Sequence, residues 1–69
     1  MMGCFYIITV YTRSGSEHRV YCSSLEYCRQ KMALIAREGL LLETHEDRDH
    51  LGYVPPSQIV GLEAERRPL

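Results

Sequence analysis

The run Cys4-Phe5-Tyr6-Ile7-Ile8-Thr9-Val10-Tyr11-Thr12 carries a β-branched or aromatic side chain at every position after Cys4. Such side chains lose rotamer freedom in a helix and fit the pleated surface of a sheet, so this segment reads as a strand. It does not alternate as a half-solvated strand should. Apolar groups fall on both of its faces, and that constrains the rest of the chain: something must cover each side, or one side is left open.

A polar stretch centred on Gly15 follows, Arg13-Ser14-Gly15-Ser16-Glu17, and His18-Arg19-Val20-Tyr21-Cys22 resumes strand character. Two such runs around a glycine-containing loop predict a β-hairpin. If residues 13–17 form the loop, Val10 faces Val20 and Ile8 faces Cys22, with Tyr6 on the same side. That side is apolar throughout and suits a helix. The other side holds Phe5, Ile7, Thr9 opposite Tyr21, and Tyr11 opposite Arg19.

The helix comes next. Ser23 and Glu26 have the spacing of a capping box, in which each side chain satisfies a backbone N–H of the first turn. Leu25, Cys28, Met32 and Ile35 recur at helical spacing and form a narrow apolar stripe. Gly39 suits the left-handed residue that ends helices, and Arg37 lies favourably against the negative end of the dipole. A helix over 25–38 is expected.

Leu40-Leu41-Leu42-Glu43-Thr44-His45 reads as a third strand, with Glu46-Asp47-Arg48-Asp49 as a charged turn. Leu51-Gly52-Tyr53-Val54 is a short fourth strand. It must stop at Pro55-Pro56, because neither proline can donate to a ladder. Ser57-Gln58-Ile59 reads as a tight turn and Val60-Gly61-Leu62-Glu63-Ala64 as a last strand, leaving 65–69 as a frayed tail. Short connections favour sequential antiparallel neighbours. The expected class is α+β: one antiparallel sheet of four to five strands, in the order β-β-α-β-β-β, with one helix on one face. The whole chain, 1–69, reads as a single small domain.

A chain of 69 residues has a small core. It buries about 60% of the surface that its unfolded form exposes, and such cores rarely supply more than roughly 3–5 kcal/mol. Disulfides, a metal or a partner chain are the usual supplements. The cysteines are Cys4, Cys22 and Cys28, an odd number that cannot close into a disulfide framework within one chain. With no basic, apolar leader at the start and no run long enough to span a membrane, a soluble cytoplasmic setting is expected.

Metal binding is not expected. Cys22 and Cys28 are separated by five residues, wider than the usual zinc pairing, and Cys28 falls on the apolar stripe of the helix. His18, His45 and His50 form no ligand pair. Catalysis by a cysteine nucleophile is not expected either. His18 shares a strand with Cys22 but lies about 13 Å along it, beyond hydrogen-bond reach. The acidic cluster Glu43, Glu46, Asp47 and Asp49 lacks the glycine-punctuated alternation of a calcium loop. No catalytic residue, cofactor or glycine-rich phosphate loop is predicted.

The formal net charge of −1 argues against nonspecific duplex binding. It is unevenly spread, +2 over residues 1–42 and −3 over 43–69. A non-enzymatic protein-interaction or adaptor role is therefore expected, with self-association, a homodimer above all, through the uncovered sheet face. Phe5, Ile7 and Tyr11 would supply apolar contact, and Arg19 and Tyr21 polar specificity at the rim. The alternative is single-stranded nucleic acid, held by Tyr11, Tyr21, Arg13 and Arg19 through stacking and phosphate contacts. The segment Tyr53-Val54-Pro55-Pro56-Ser57-Gln58-Ile59-Val60 resembles the strand, prolyl turn, strand layout of many small bacterial and phage proteins of unassigned role, a resemblance that implies no activity.

Overall fold

A computed structural model describes residues 3–43 and 51–69. The strands are β1 (Cys4–Thr12), β2 (Glu17–Cys22), β3 (Leu40–Glu43), β4 (Leu51–Val54) and β5 (Ile59–Pro68). One helix, α1 (Leu25–Glu38), follows β2, and a single 3-10 turn, Pro56–Gln58, precedes β5. The class is α+β, as expected. The single sheet is not found. Strands β2, β1 and β5 make a three-stranded antiparallel sheet in that order, while β3 and β4 pair in a separate two-stranded sheet. No described helix is long and apolar enough to cross a membrane. His45, His50, Glu46, Asp47 and Asp49 lie outside the described residues.

The hairpin register differs from the expected one because its loop is shorter. Thr12 N–H donates to the Ser16 carbonyl at 3.1 Å, and Gly15 N–H donates to the Thr12 carbonyl at 3.1 Å. The loop is therefore Arg13-Ser14-Gly15, with Gly15 at φ +90°, the backbone that only glycine adopts freely. Ile8 now faces Val20, Val10 faces His18 and Tyr6 faces Cys22. Each pairing moves by two residues, an even shift, so every side chain keeps its expected face.

The helix spans the expected residues but starts from the other serine. Ser24, not Ser23, is the N-cap, its Oγ accepting the Tyr27 N–H at 3.1 Å. Glu26 is thus one residue too early for a capping box, though its charge still lies in the positive first turn. At the other end the Gly39 N–H donates to the Ile35 carbonyl at 2.8 Å. Gly39 has φ +90°, and a Cβ there would collide with the Val54 carbonyl oxygen and sit 2.9 Å from the Tyr53 hydroxyl. Both backbone and space demand glycine.

The core lies between α1 and the three-stranded sheet. Ile8, Val10 and Cys22 from the sheet meet Cys28 and Ile35 from α1, with Leu40 closing one end. Leu25, expected on the buried stripe, is exposed at the first residue of α1. Tyr6, Val20, Met32, Leu42, Val54, Ile59 and Leu62 line the periphery.

Strand β5 brings the largest change from expectation. Residues 65–68 are not frayed: they continue the ladder, with Cys4 opposite Pro68 and Ile8 opposite Ala64. A bulge interrupts the register where Tyr11 faces Gly61 and Thr12 faces Ile59. Skipping Val60 lets Ile59 and Leu62, three apart, both reach the helix side, which strict alternation would forbid. The strand is anchored at this end by Arg13, whose N–H donates to the Gln58 carbonyl at 2.9 Å and whose Nε donates to the Ser57 carbonyl at 2.8 Å.

Candidate functional site

The face of the three-stranded sheet opposite α1 has no element over it among the described residues. Its central row comes from β1 and reads Phe5, Ile7, Thr9, Tyr11, each half-buried. One flank comes from β2, with Tyr21 beside Ile7, Arg19 beside Thr9 and Glu17 beside Tyr11. The other comes from β5, with Arg67 beside Phe5, Glu65 beside Ile7, Glu63 beside Thr9 and Gly61 beside Tyr11. The result is a shallow depression of about 390 Å³, floored by β1 and walled by the longer side chains of β2 and β5.

Neighbouring groups on this face are engaged in pairs. The Tyr11 hydroxyl donates to Glu63 Oε2 at 2.8 Å. That carboxylate, accepting the phenol proton, pushes the Tyr11 hydroxyl above its ordinary range, with desolvation adding to the effect. Arg67 Nε lies 3.2 Å from Glu65 Oε1, and its second nitrogen donates to Oε2 at 3.2 Å, a forked contact two residues along the same strand. Arg19 lies 3.8 Å from Glu17, a looser contact between exposed side chains that contributes little to folding. Phe5 and Tyr21 stand with ring centroids 6.2 Å apart at 37°. Tyr21 is the most open of the aromatics here, at 65% exposure.

Five of the residues singled out from the sequence therefore share one surface: Phe5, Ile7, Tyr11, Arg19 and Tyr21. Arg13 does not. It sits in the hairpin loop, its Nε committed to the Ser57 carbonyl. Sequence reasoning missed Glu17, Glu63, Glu65 and Arg67, three carboxylates and a guanidinium that border the apolar row. A partial signal for the last three was present: Glu63, Glu65 and Arg67 recur every second residue, the spacing of one strand face, with Leu62 and Ala64 on the other, but Arg66 between Glu65 and Arg67 interrupts the alternation.

Elsewhere the polar groups serve the fold. Thr12 Oγ1 lies 2.9 Å from Ser14 Oγ, donates to the Ser16 carbonyl at 3.2 Å and accepts the Ser16 N–H at 3.1 Å, so these hydroxyls close the hairpin. The Tyr53 hydroxyl donates to the Glu38 carbonyl and ties the β3–β4 hairpin to the end of α1. Among the described residues, no group of three or more histidine, cysteine, aspartate or glutamate side chains is arranged to hold a metal ion. The cysteines are free thiols, Cys4 exposed and Cys22 and Cys28 buried. Burial pushes the Cys22 thiol up, and the neighbouring Cys28 sulfur adds to the shift.

Comparison with family models, with curated proteins and with solved structures finds no match.

Proposed function

We propose that this protein is a non-enzymatic protein-interaction module that self-associates through the open face of its three-stranded sheet. The observation that carries the reading is the row Phe5-Ile7-Thr9-Tyr11 with Tyr21 beside it, lying between two charged borders with no element of the described chain above it. An apolar centre inside a polar rim is the ordinary anatomy of a protein–protein interface. A small core gives the chain a reason to bury this row against another surface, since association adds to stability by mass action. Three free thiols suit a reducing compartment, consistent with a cytoplasmic site of action.

Light scattering across a concentration series tests the reading. A mass that rises toward twice the monomer, and that Ile7→Lys returns to the monomer, is the expected result. A monomer at every concentration, or a dimer indifferent to Ile7→Lys, would sink it.

The second reading, single-stranded nucleic acid, rests on Tyr11 and Tyr21 presenting aromatic groups on one face with Arg19 between their levels. The flanks weigh against it. Three carboxylates, Glu17, Glu63 and Glu65, share this face with two guanidiniums, Arg19 and Arg67, so a phosphate backbone would meet a border of net negative charge. Anisotropy of a labelled oligonucleotide, titrated at low and high salt, separates the two: this reading requires binding that weakens steeply with salt.

A further inference from the structure

The most distinctive property of the open face is the asymmetry of its borders. At the level of Thr9, β2 presents Arg19 and β5 presents Glu63. At the level of Ile7, β2 presents Tyr21 and β5 presents Glu65. The side of the groove bounded by β2 therefore offers donors where the side bounded by β5 offers carboxylates. Two such surfaces, one inverted over the other, are complementary along their whole length without stacking like charges in one orientation.

Two sheets that meet face to face as an isologous dimer are related by a two-fold axis lying in the plane between them. If that axis runs across the strands, β5 lies over the β5 of the second copy with its direction reversed. A centre at Thr9 then sets Glu63 on Glu63, a centre at Ile7 sets Glu65 on Glu65, and a centre between them sets Glu63 on Glu65. Each of these stacks carboxylates, although the centre at Ile7 also sets Arg67 over Glu63. A centre between Phe5 and Ile7 sets Arg67 over Glu65 instead, but it leaves Thr9 and Tyr11 beyond the first residue of the second copy's β1. If the axis runs along β1, heights along the strands are kept and the flanks are exchanged, so β2 lies over β5. Arg19 then stands over Glu63 of the second copy, the Tyr21 hydroxyl over Glu65, and Glu17 over Gly61, which has no side chain to oppose it. The central rows meet like on like, Ile7 on Ile7 and Thr9 on Thr9, as the inner faces of a β-sandwich do.

We propose that the occupant of the open face is a second copy of this chain, packed with its two-fold axis along β1 and fixed by two symmetry-related Arg19–Glu63 pairs. This rests on the self-association reading above and adds its geometry. Glu63 is equipped for the role: one of its oxygens already accepts the Tyr11 hydroxyl, which holds the carboxylate in place over the face. From ordinary strand spacing the face is about 14 Å wide and about 30 Å long. That is below the roughly 800 Å² per partner of a standard interface, so the dimer is weak, with Kd in about the micromolar range.

The test mixes two single variants. Arg19→Glu alone sets Glu over Glu63 twice in the homodimer, and Glu63→Arg alone sets Arg over Arg19 twice. Each is expected to weaken the homodimer by about tenfold or more, since like charges across an interface oppose association. Mixed in equal amounts they form a heterodimer in which both pairs are again opposite in charge, and dimer mass returns. Because neither chain changes on mixing, recovery cannot be a folding effect. Both side chains are exposed, and an unchanged circular dichroism spectrum of each variant serves as the control. If the wild type is a dimer that Ile7→Lys dissociates, yet the mixture stays monomeric or the single variants dimerise normally, the proposed geometry is wrong while the face still associates. If the wild type is a monomer, or a dimer that Ile7→Lys leaves intact, both the geometry and the reading beneath it fail.

Discussion

Adjacent residues of β1 have opposite fates. Ile8 and Val10 are fully buried under α1, at 0% exposure, whereas Ile7 and Tyr11 on the other side are only half-covered. The chemistry of the two rows is similar and their surroundings are not. Beneath the helix, Cys22, Cys28 and Ile35 surround the aliphatic side chains, and no buried side-chain polar atom among the described residues lacks a hydrogen-bond partner. On the open side the neighbours are Glu63, Glu65, Arg67, Arg19 and Glu17, whose stems cover part of the apolar row while their charged ends stay in water. A strand with two apolar faces thus serves as core on one side and as a bordered, accessible surface on the other.

The contrast is sharpest under truncation. Ile8→Ala should cost about 2–5 kcal/mol, the range for emptying a packed aliphatic site, and in so small a domain that removes most of the folded population. Urea denaturation would measure it. Ile7→Ala, by the same assay on a protein dilute enough to be monomeric, should cost about 1 kcal/mol or less. Equal losses at the two positions would mean that the open face is as closely packed as the core.

The helix is the cover that distinguishes the faces, so its ends come next. Gly39→Ala combines a backbone angle unsuited to alanine with a Cβ pressed against the Val54 carbonyl. It should destabilise by about 1–3 kcal/mol, read as a lower melting temperature. Ser24→Ala removes the cap on Tyr27 and should cost about 1 kcal/mol, while Ser23→Ala should change stability by less than about 0.5 kcal/mol. The reverse order would restore the capping box that the structure replaces.

The thiols report the same contrast with the smallest energetic effect. In the native protein iodoacetamide should modify the exposed Cys4 first, with Cys22 and Cys28 reacting only after unfolding, as peptide mass spectrometry would show. Burial raises the Cys22 thiol above its unfolded value. Its contribution is therefore complete below the ordinary thiol value of about 8.5 and is lost as pH rises through the raised one. Stability should fall on the alkaline side, and Cys22→Ala should flatten that part of the profile.

Much of this architecture could be read directly from the chain. The helix limits followed from an apolar stripe that ends at a glycine, and the two faces of the hairpin from simple alternation. The faces held even though the loop proved shorter, since a shift of two residues returns every side chain to its own side. Five residues of the candidate surface could be grouped for the same reason. Local pattern could not reveal the partner of β1 on its second edge. Nothing near Cys4 indicates that Pro68 will lie beside it, and the charged run Glu65-Arg66-Arg67 read as tail because its apolar alternation stops at Ala64.

What the sequence determined by itself, then, was what nearest neighbours determine: which segments extend, where the helix starts and stops to within a residue, and that β1 is apolar on both sides. The tertiary structure alone decided that β3 and β4 stand apart as their own sheet and that β5 joins β1 from across the chain. That pairing sets Glu63 and Glu65 along one border of the open face, opposite Arg19 and Tyr21. Strand partnership is a contact between distant segments, chosen by the burial of Ile59 and Leu62 under the helix together with a bulge that admits both, and short-range periodicity carries no record of it.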